Sequence, residues 1–340
     1  MRVMKTAASL AALVLCLGGV QGAQADDFYK GKTVTVLSPF GAGGGYGVLT
    51  TLISRHLGRH LSGKPGVVAQ FMPGGGGIKM ANHIYNVSPR DGTVIGLIYD
   101  GTPTNQLLYA EKGIKYKAED FIPLGSLTAF DPGVIAVTRN AKANSIRDAQ
   151  KMQVIIGAGG RGVNQFIIPN MLNRAIKTRF KIVLGYKGMS TIVVAMERGE
   201  VEGTLASYSI WEQVRPTWIK EGKIKFLVQM AMERDPRMKD VPLLQEITDN
   251  KTTRGVFTFL TLGRTMQKAL VTPPRVPAAR IAELRAAVKA MAHDKAFVSA
   301  ATKARINVEW QGAERLEKLI RDTVNTGPAV VKATRDLTKG

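Results

Sequence analysis

The chain is poor in the residues that build covalent and metal-centred chemistry. It has one cysteine, Cys16, and four histidines among 340 residues. A single thiol excludes an internal disulfide, and removal of a leader containing Cys16 would leave no thiol chemistry at all. Acidic residues number 26 against 47 lysines and arginines, so the formal charge is +21, and aromatics make up only 6%. Long apolar runs are scarce too: Ala7 to Val20 covers about 14 residues, short of the ~20 that span a bilayer. No serine sits in a GxSxG elbow, so a Ser–His–acid hydrolase has no support.

Three further chemistries fail on spacing. Gly41 and Gly43 begin a dinucleotide fingerprint, but Tyr46 stands in place of its third glycine. The next strand pattern ends at Gln70-Phe71 without the carboxylate that a ribose needs. Gly31-Lys32-Thr33 has the ending of a P-loop, yet Asp26 stands where the first glycine belongs, and a strand follows rather than a helix. His56 and His60, four apart, could share a metal on one helix face. Arg55, Arg59 and Lys64 surround them with no carboxylate or thiolate nearby in sequence, so a surface pair without metal is expected. His83 and His293 are isolated, and Asp91, Asp100, Asp120 and Asp131 lie among Gly and Pro, where turn or cap duty is the expectation. No catalytic residue, metal or cofactor is expected.

What the chain does have begins with an export leader. Arg2 and Lys5 form a basic start, the apolar run follows, and Ala23-Gln24-Ala25 is a small-residue cleavage site. Leu15 precedes Cys16 where a lipidation site wants a small residue, so residues 1–25 are expected to leave by cleavage after Ala25. Losing Arg2 and Lys5 takes the charge from +21 to +19. The remaining basic residues are scattered, with no run of five, which points to a solvated basic surface that draws in small anions rather than to nucleic acid.

Glycine is the abundant residue. Gly41 to Gly47 reads Gly-Ala-Gly-Gly-Gly-Tyr-Gly, after the strand pattern Thr33 to Ser38 and before helical spacing of Val48, Leu49, Leu52, Ile53 and Leu57. Such a loop offers backbone N–H groups at the positive end of a helix, with no Cβ to hold a ligand away. Pro73-Gly74-Gly75-Gly76-Gly77 repeats the construction after a strand ending at Phe71. A third copy follows Val154-Ile155-Ile156: Gly157-Ala158-Gly159-Gly160-Arg161-Gly162, then a helix from Asn164 to Ile176. Smaller versions follow the strand Val94 to Tyr99, at Asp100-Gly101-Thr102, and Gly203 to Ala206, at Ser207-Tyr208-Ser209 with a helix from Ile210 to about Glu221. Other strand patterns are Val67 to Phe71, Gly133 to Thr138, Lys181 to Leu184 and Lys225 to Met230. Helical ones include Lys79 to Asn86, Thr191 to Arg198 and Pro277 to Ala292, the last with Ile281, Leu284, Val288 and Met291 as its buried stripe. The alternation predicts an α/β fold in two lobes. Residues 26–130 start the first lobe, 131–230 form the second, and 231–340 return to the first. Ligands of open α/β sheets bind beyond the carboxyl ends of strands, where these loops gather.

The order of motifs resembles the receptors of tripartite tricarboxylate transporters, also called Bug receptors, over nearly the whole mature chain. The resemblance runs through Tyr29-Lys30-Gly31-Lys32, Pro39-Phe40 with its glycine loop, Pro73 to Gly77, and Pro89-Arg90-Asp91-Gly92-Thr93. It continues with Asp120-Phe121-Ile122-Pro123-Leu124, Gly185-Tyr186-Lys187-Gly188, Arg198 to Glu202, Lys220 to Ile224 and Met238 to Pro242. It implies a two-lobed type II periplasmic binding protein fold with a ligand cleft between the lobes. The implied function is a monomeric periplasmic receptor that closes like a hinge on a small organic carboxylate and delivers it to membrane permease subunits. A carboxylate at a helix N-terminus gains ~0.3–1 kcal/mol and a charge-assisted hydrogen bond about 1.5–3, whereas micromolar affinity needs about 8, so both lobes must contribute. Three departures stand out: Tyr46-Gly47 where the family carries Thr-Asp, Arg161 where it carries a small residue, and Phe71-Met72 where it carries Asn-Arg. The expected lining is Phe40, Ala42, Gly43, Gly44 and Tyr46, with Gly75, Gly76, Gly101 and Thr102 beside them. Gly159, Arg161, Asn164, Tyr186, Ser207 and Tyr208 face them from the other lobe. Arg161 is expected to pair with the ligand carboxylate and Tyr46 to pack on its body. The alternative functions are a ligand sensor docking on a membrane signalling partner and, supported only by the strand-end loops, a periplasmic enzyme.

Overall fold

The computed structural model describes residues 27–42, 45–109, 113–128, 131–159, 164–186, 189–266 and 268–338. Its strands, in chain order, are β1 (Thr33–Ser38), β2 (Gly66–Phe71), β3 (Val94–Leu97), β4 (Ile122–Thr128), β5 (Gly133–Thr138), β6 (Gln153–Gly157), β7 (Arg179–Val183), β8 (Gly203–Ser207), β9 (Ile224–Met230), β10 (Ala269–Thr272) and β11 (Val308–Gln311). The helices are α1 (Gly45–His56), α2 (Ile78–Asn86), α3 (Thr102–Leu108), α4 (Asp148–Lys151), α5 (Asn164–Ile176), α6 (Met189–Glu197), α7 (Tyr208–Val214), α8 (Lys251–Thr265), α9 (Ala278–Ala292), α10 (Lys295–Lys303), α11 (Ala313–Val324) and α12 (Pro328–Thr338). Among the described residues none of these helices is long and apolar enough to cross a membrane.

Two sheets organise them, in the orders β11-β4-β10-β3-β1-β2 and β7-β6-β8-β5-β9. In the first, β1 runs parallel to β2 and β3, while β10 enters antiparallel between β3 and β4. The carboxyl ends of β1, β2 and β3 therefore share one rim. In the second, β6 runs parallel to both β7 and β8, so their following loops share another. Both sheets are covered on two faces, because strand side chains alternate. In β1, Val34 and Val36 pack toward Leu49, Ile53, Leu284 and Val288, while Leu37 packs on the opposite face with Met80 and Ile84. In β5, Ile135 and Val137 meet Met171 and Leu172, and Val134 and Ala136 meet Ile192 and Trp211. Of the expected stripe on α9, Leu284, Val288 and Met291 are fully buried and Ile281 is half-buried.

The helix expected from Ile210 to about Glu221 is shorter and starts earlier, spanning Tyr208–Val214. Pro216 is the reason: a residue before proline is driven out of the helical region, and Arg215 sits at φ −142°, ψ 76°.

The chain passes from the first sheet to the second between Thr128 and Gly133 and returns between Met230 and Ala269. The returning segment hugs the second sheet before it crosses: Leu243 bridges Gln229, and Met238 and Leu244 are buried in the second lobe. Val256 and Phe257 of α8 lie in that same core, whereas Met266, just past its end, lies in the first. Val330, Ala333 and Leu337 of α12 pack on the second core too, while Arg335 donates to the Leu107 carbonyl of α3. β10 and β11 thus complete the first sheet, while α8 and α12 bury apolar surface in the second lobe.

Candidate functional site

The rim of the first lobe is organised by a cluster of three aromatics. Phe40, after β1, meets the edge of Tyr46 at 5.1 Å and of Tyr99 at 5.6 Å between ring centroids. Tyr46 is in the first turn of α1, and its hydroxyl accepts a hydrogen bond from the Asp100 N–H at 3.1 Å, tying the helix start to the end of β3. Gly47 makes this arrangement possible. A Cβ there would lie 2.2 Å from the Gly41 carbonyl oxygen and 2.5 Å from Ala42 Cα, so α1 touches the preceding loop backbone directly. An Asp at this position, as in the family pattern, has no room in this loop conformation. The second glycine loop has a different reason for its composition: Gly74, Gly75, Gly76 and Gly77 all have positive φ, between 56° and 145°.

The opposite rim belongs to the second lobe. Asn164 opens α5, and Ser207 closes β8 and precedes α7. The first two N–H groups of α7 are engaged within the protein, Tyr208 donating to the Pro132 carbonyl at 3.0 Å. Asp131, on the crossover from β4 to β5, accepts from the Ser209 N–H at 2.9 Å and from its hydroxyl at 2.6 Å. The chain supplies its own carboxylate to this helix start, a helix-capping role in line with the expectation from its turn context.

Between the rims lies a cavity of about 240 Å³ lined by Tyr46, Tyr99, Asp100, Asp131, Asn164, Ser207 and Lys268. Lys268 is the cation and Asp100 and Asp131 the anions among the described lining residues. The Lys268 ammonium stands 5.5 Å from the Tyr46 ring centroid, and its Cε would be 3.8 Å from a Cβ on Gly45. No acidic side chain occupies the first turn of α1, so the positive helix end and the lysine act on the same space. A larger groove of about 1150 Å³ continues from the cavity and shares Asp131, Ser207 and Lys268 with it.

The structure brings Tyr46, Asn164 and Ser207 around that cavity. Phe40 stands behind Tyr46 and Tyr99 as a support. Ala42, Gly75 and Gly76 are exposed on the first rim, and Gly101 is half-buried, with a Cβ there falling 2.5 Å from the Tyr99 ring. Gly159 donates its N–H to Gln165 at 3.3 Å, and Tyr186, half-buried, donates its N–H to the Ala158 carbonyl. Burial, with Glu200 adding to it, raises the Tyr186 phenol above its ordinary pKa. Two expected donors are buried in the protein and are not among the residues lining that cavity. Thr102 is 2% exposed and its hydroxyl donates to the Tyr99 carbonyl at 2.6 Å. Tyr208 is buried against Phe226 and lies under the Arg237 guanidinium, 3.9 Å from its ring centroid. Gly43, Gly44 and Arg161 lie outside the described residues. Asp100 and Asp131 carried a sequence signal, since both follow strand ends. Lys268 carried none, because β10 comes from a distant part of the chain.

The histidine pair has a carboxylate that sequence proximity hid. Asp294 accepts from His60 Nε2 at 3.0 Å and from Arg59 Nε at 3.1 Å. The same carboxylate caps α10 through the Ala296 and Phe297 N–H groups. Burial, and then Arg59, lower the His56 pKa. Among the described residues no three His, Cys, Asp or Glu are placed to hold a metal. Asp294 therefore serves a cap and an ion pair.

Comparison with known proteins agrees with this architecture. The family described as TctC, tripartite tricarboxylate transporter family receptor, matches residues 53–335. A curated relative, the UPF0065 protein in the TAR-I ttuE-ttuC' intergenic region of Agrobacterium vitis, is 26% identical over 66% of this chain. The match spans 64% of that relative's own length, under two thirds. A TctC solute-binding protein from Polaromonas, solved without ligand, superposes with a TM-score of 0.65 at 20% identity, covering 91% of this chain and 98% of the other. The R. palustris protein Rpa4515, solved with adipate, gives 0.58 at 20% identity, covering 89% and 97%. At such identity these structures establish the fold: two lobes of the periplasmic binding protein type.

Proposed function

The chain belongs to the tripartite tricarboxylate transporter receptor family, and we propose on that premise that it captures a small organic carboxylate and delivers it to the membrane subunits of such a transporter. The observation that carries the reading is the cavity itself. Tyr46 and Lys268 reach it from the first lobe and Asn164 and Ser207 from the second, so a ligand touching both has most to gain when the lobes close. Lys268 and the start of α1 attract a carboxylate against the opposing Asp100 and Asp131, the latter engaged by Ser209, and Asn164 and Ser207 supply neutral donors. Binding by a few such groups from each side reaches micromolar affinity where one loop does not. The basic start, apolar run and Ala23-Gln24-Ala25 of the leader support export to the periplasm with cleavage after Ala25, and we take the receptor to act there as a monomer. The adipate held by the R. palustris relative is a ligand of the same class.

Thermal unfolding of the mature protein across aliphatic and aromatic carboxylates tests the reading. A true ligand at about 100 times its Kd stabilises by about 2.7 kcal/mol. The matching amide, without the charge, leaves the transition where it was. Equal stabilisation by acid and amide would overturn the carboxylate assignment.

A further inference from the structure

The inner cavity is continuous with the groove of about 1150 Å³, and Lys268 stands where they join. That volume lies just above the ~300–1,000 Å³ of pockets for drug-sized ligands, and a short-chain acid leaves most of it empty. Apolar side chains line it on both lobes, Val48 from α1 and Ile306 ahead of β11 on one and Ile210 from α7 on the other, each half-buried, beside the polar Thr302, Arg305, Asn307 and Glu309 of the first lobe. Val48 and Ile306 pack against the core of the first lobe and Ile210 against that of the second.

The charged side chains of the second-lobe wall are engaged with one another. Arg237 holds Asp235 through Nε at 2.9 Å and Nη2 at 2.6 Å, with Glu212 3.7 Å from its Nη1. Asp131 takes both hydrogen bonds of Ser209. Beyond those pairs this wall presents Ser207 where the groove meets the inner cavity and the hydrocarbon of Ile210, Pro216 and Pro236.

We infer that the ligand is an amphipathic carboxylate. Its charged end lies in the inner cavity beside Lys268, and an extended apolar body runs out along Val48, Ile210 and Ile306. The inference rests on the carboxylate-receptor reading above and adds the ligand's shape to it. Because these apolar side chains are divided between the lobes, closure removes water from both sides of the body. Each methylene so buried tightens binding about fourfold.

Isothermal titration of the mature protein with acetate, butyrate, hexanoate, octanoate and succinate tests it. Each added pair of methylenes is expected to tighten binding about tenfold or more, with octanoate tightest and succinate no better than butyrate. Ile210→Asn and Ile306→Asn flatten the series, and Lys268→Met weakens every member, with circular dichroism confirming that each variant is folded. A flat series, or succinate binding tightest, overturns the amphipathic ligand and leaves the carboxylate receptor standing. Failure of every acid to bind overturns both.

Discussion

Gly47→Ala is the most direct test of how the glycine loop is built. The added methyl would lie 2.2 Å from the Gly41 oxygen and 2.5 Å from both Ala42 Cα and the Ala42 oxygen. All three are backbone atoms, so no side chain can rotate away, and the loop must lift off α1. Overpacking of this kind costs about 1–3 kcal/mol. Against it stands up to about 1 kcal/mol gained by replacing glycine with alanine inside a helix. The steric cost wins, for a net loss of about 1–2 kcal/mol, or a Tm drop of several degrees at ~2–4 °C per kcal/mol. Gly45→Ala is the control two residues away, where the new Cβ meets only Lys268 Cε at 3.8 Å, an ordinary contact. It keeps the propensity gain without the collision and is expected to match or exceed the parent protein. Urea unfolding followed by circular dichroism measures both midpoints. If Gly47→Ala proves as stable as Gly45→Ala, the direct packing of helix on loop is refuted. Ligand affinity should fall with the first variant as well, since lifting the loop moves Ala42 and the aromatic cluster at the rim.

Asp131→Ala strips the start of α7 of both hydrogen bonds to Ser209 and is expected to cost about 0.5–2 kcal/mol in urea unfolding. Tyr46→Phe takes the acceptor from the Asp100 N–H, for a loss of about 1 kcal/mol; an unchanged midpoint would show that water replaces it. The Arg237 guanidinium, through its side-chain hydrogen bonds, holds the Asp235 carboxyl below its usual pKa. Its contribution is full above the unfolded pKa of about 4 and is lost as pH falls through the folded value. Asp235→Asn should therefore be the less stable protein at neutral pH, with the gap closing below about pH 4 in acid unfolding. Arg161→Ala is expected to weaken carboxylate binding by about tenfold or more if its guanidinium pairs with the ligand; unchanged affinity by titration removes it from the site.

Local pattern carried most of the first two thirds of the fold. β1 and β5 fall at their expected bounds, because β-branched runs closed by glycine or proline leave little choice. α5 is equally clear, with its apolar positions at helical spacing. β4, β10 and β11 were not legible as strands, since β10 is four residues long and takes its place between β3 and β4 only through tertiary pairing. The same non-local pairing hid Lys268. Residue type alone did not reveal burial at Thr102 and Tyr208: both are polar residues at strand ends, yet Thr102 gives its hydroxyl to the Tyr99 carbonyl and Tyr208 is buried against Phe226. Spacing along the chain also hid Asp294, more than two hundred residues from the histidine it meets.

The C-terminal helix α12 rests on α5 of one lobe, where Arg174 Nη1 donates to the Asp336 carbonyl at 3.4 Å, and reaches α3 of the other through Arg335. With α8 beneath it, it acts as the binding of a book whose pages are the two sheets. The proposed closure is then expected to turn about that spine, with sliding of one sheet past the other resisted. A fluorophore attached at Thr338, the last residue of α12, would ride on the spine and stay silent through a binding cycle. A pair placed on Thr302 and Pro216, both on the groove, would report every closure as a change in distance.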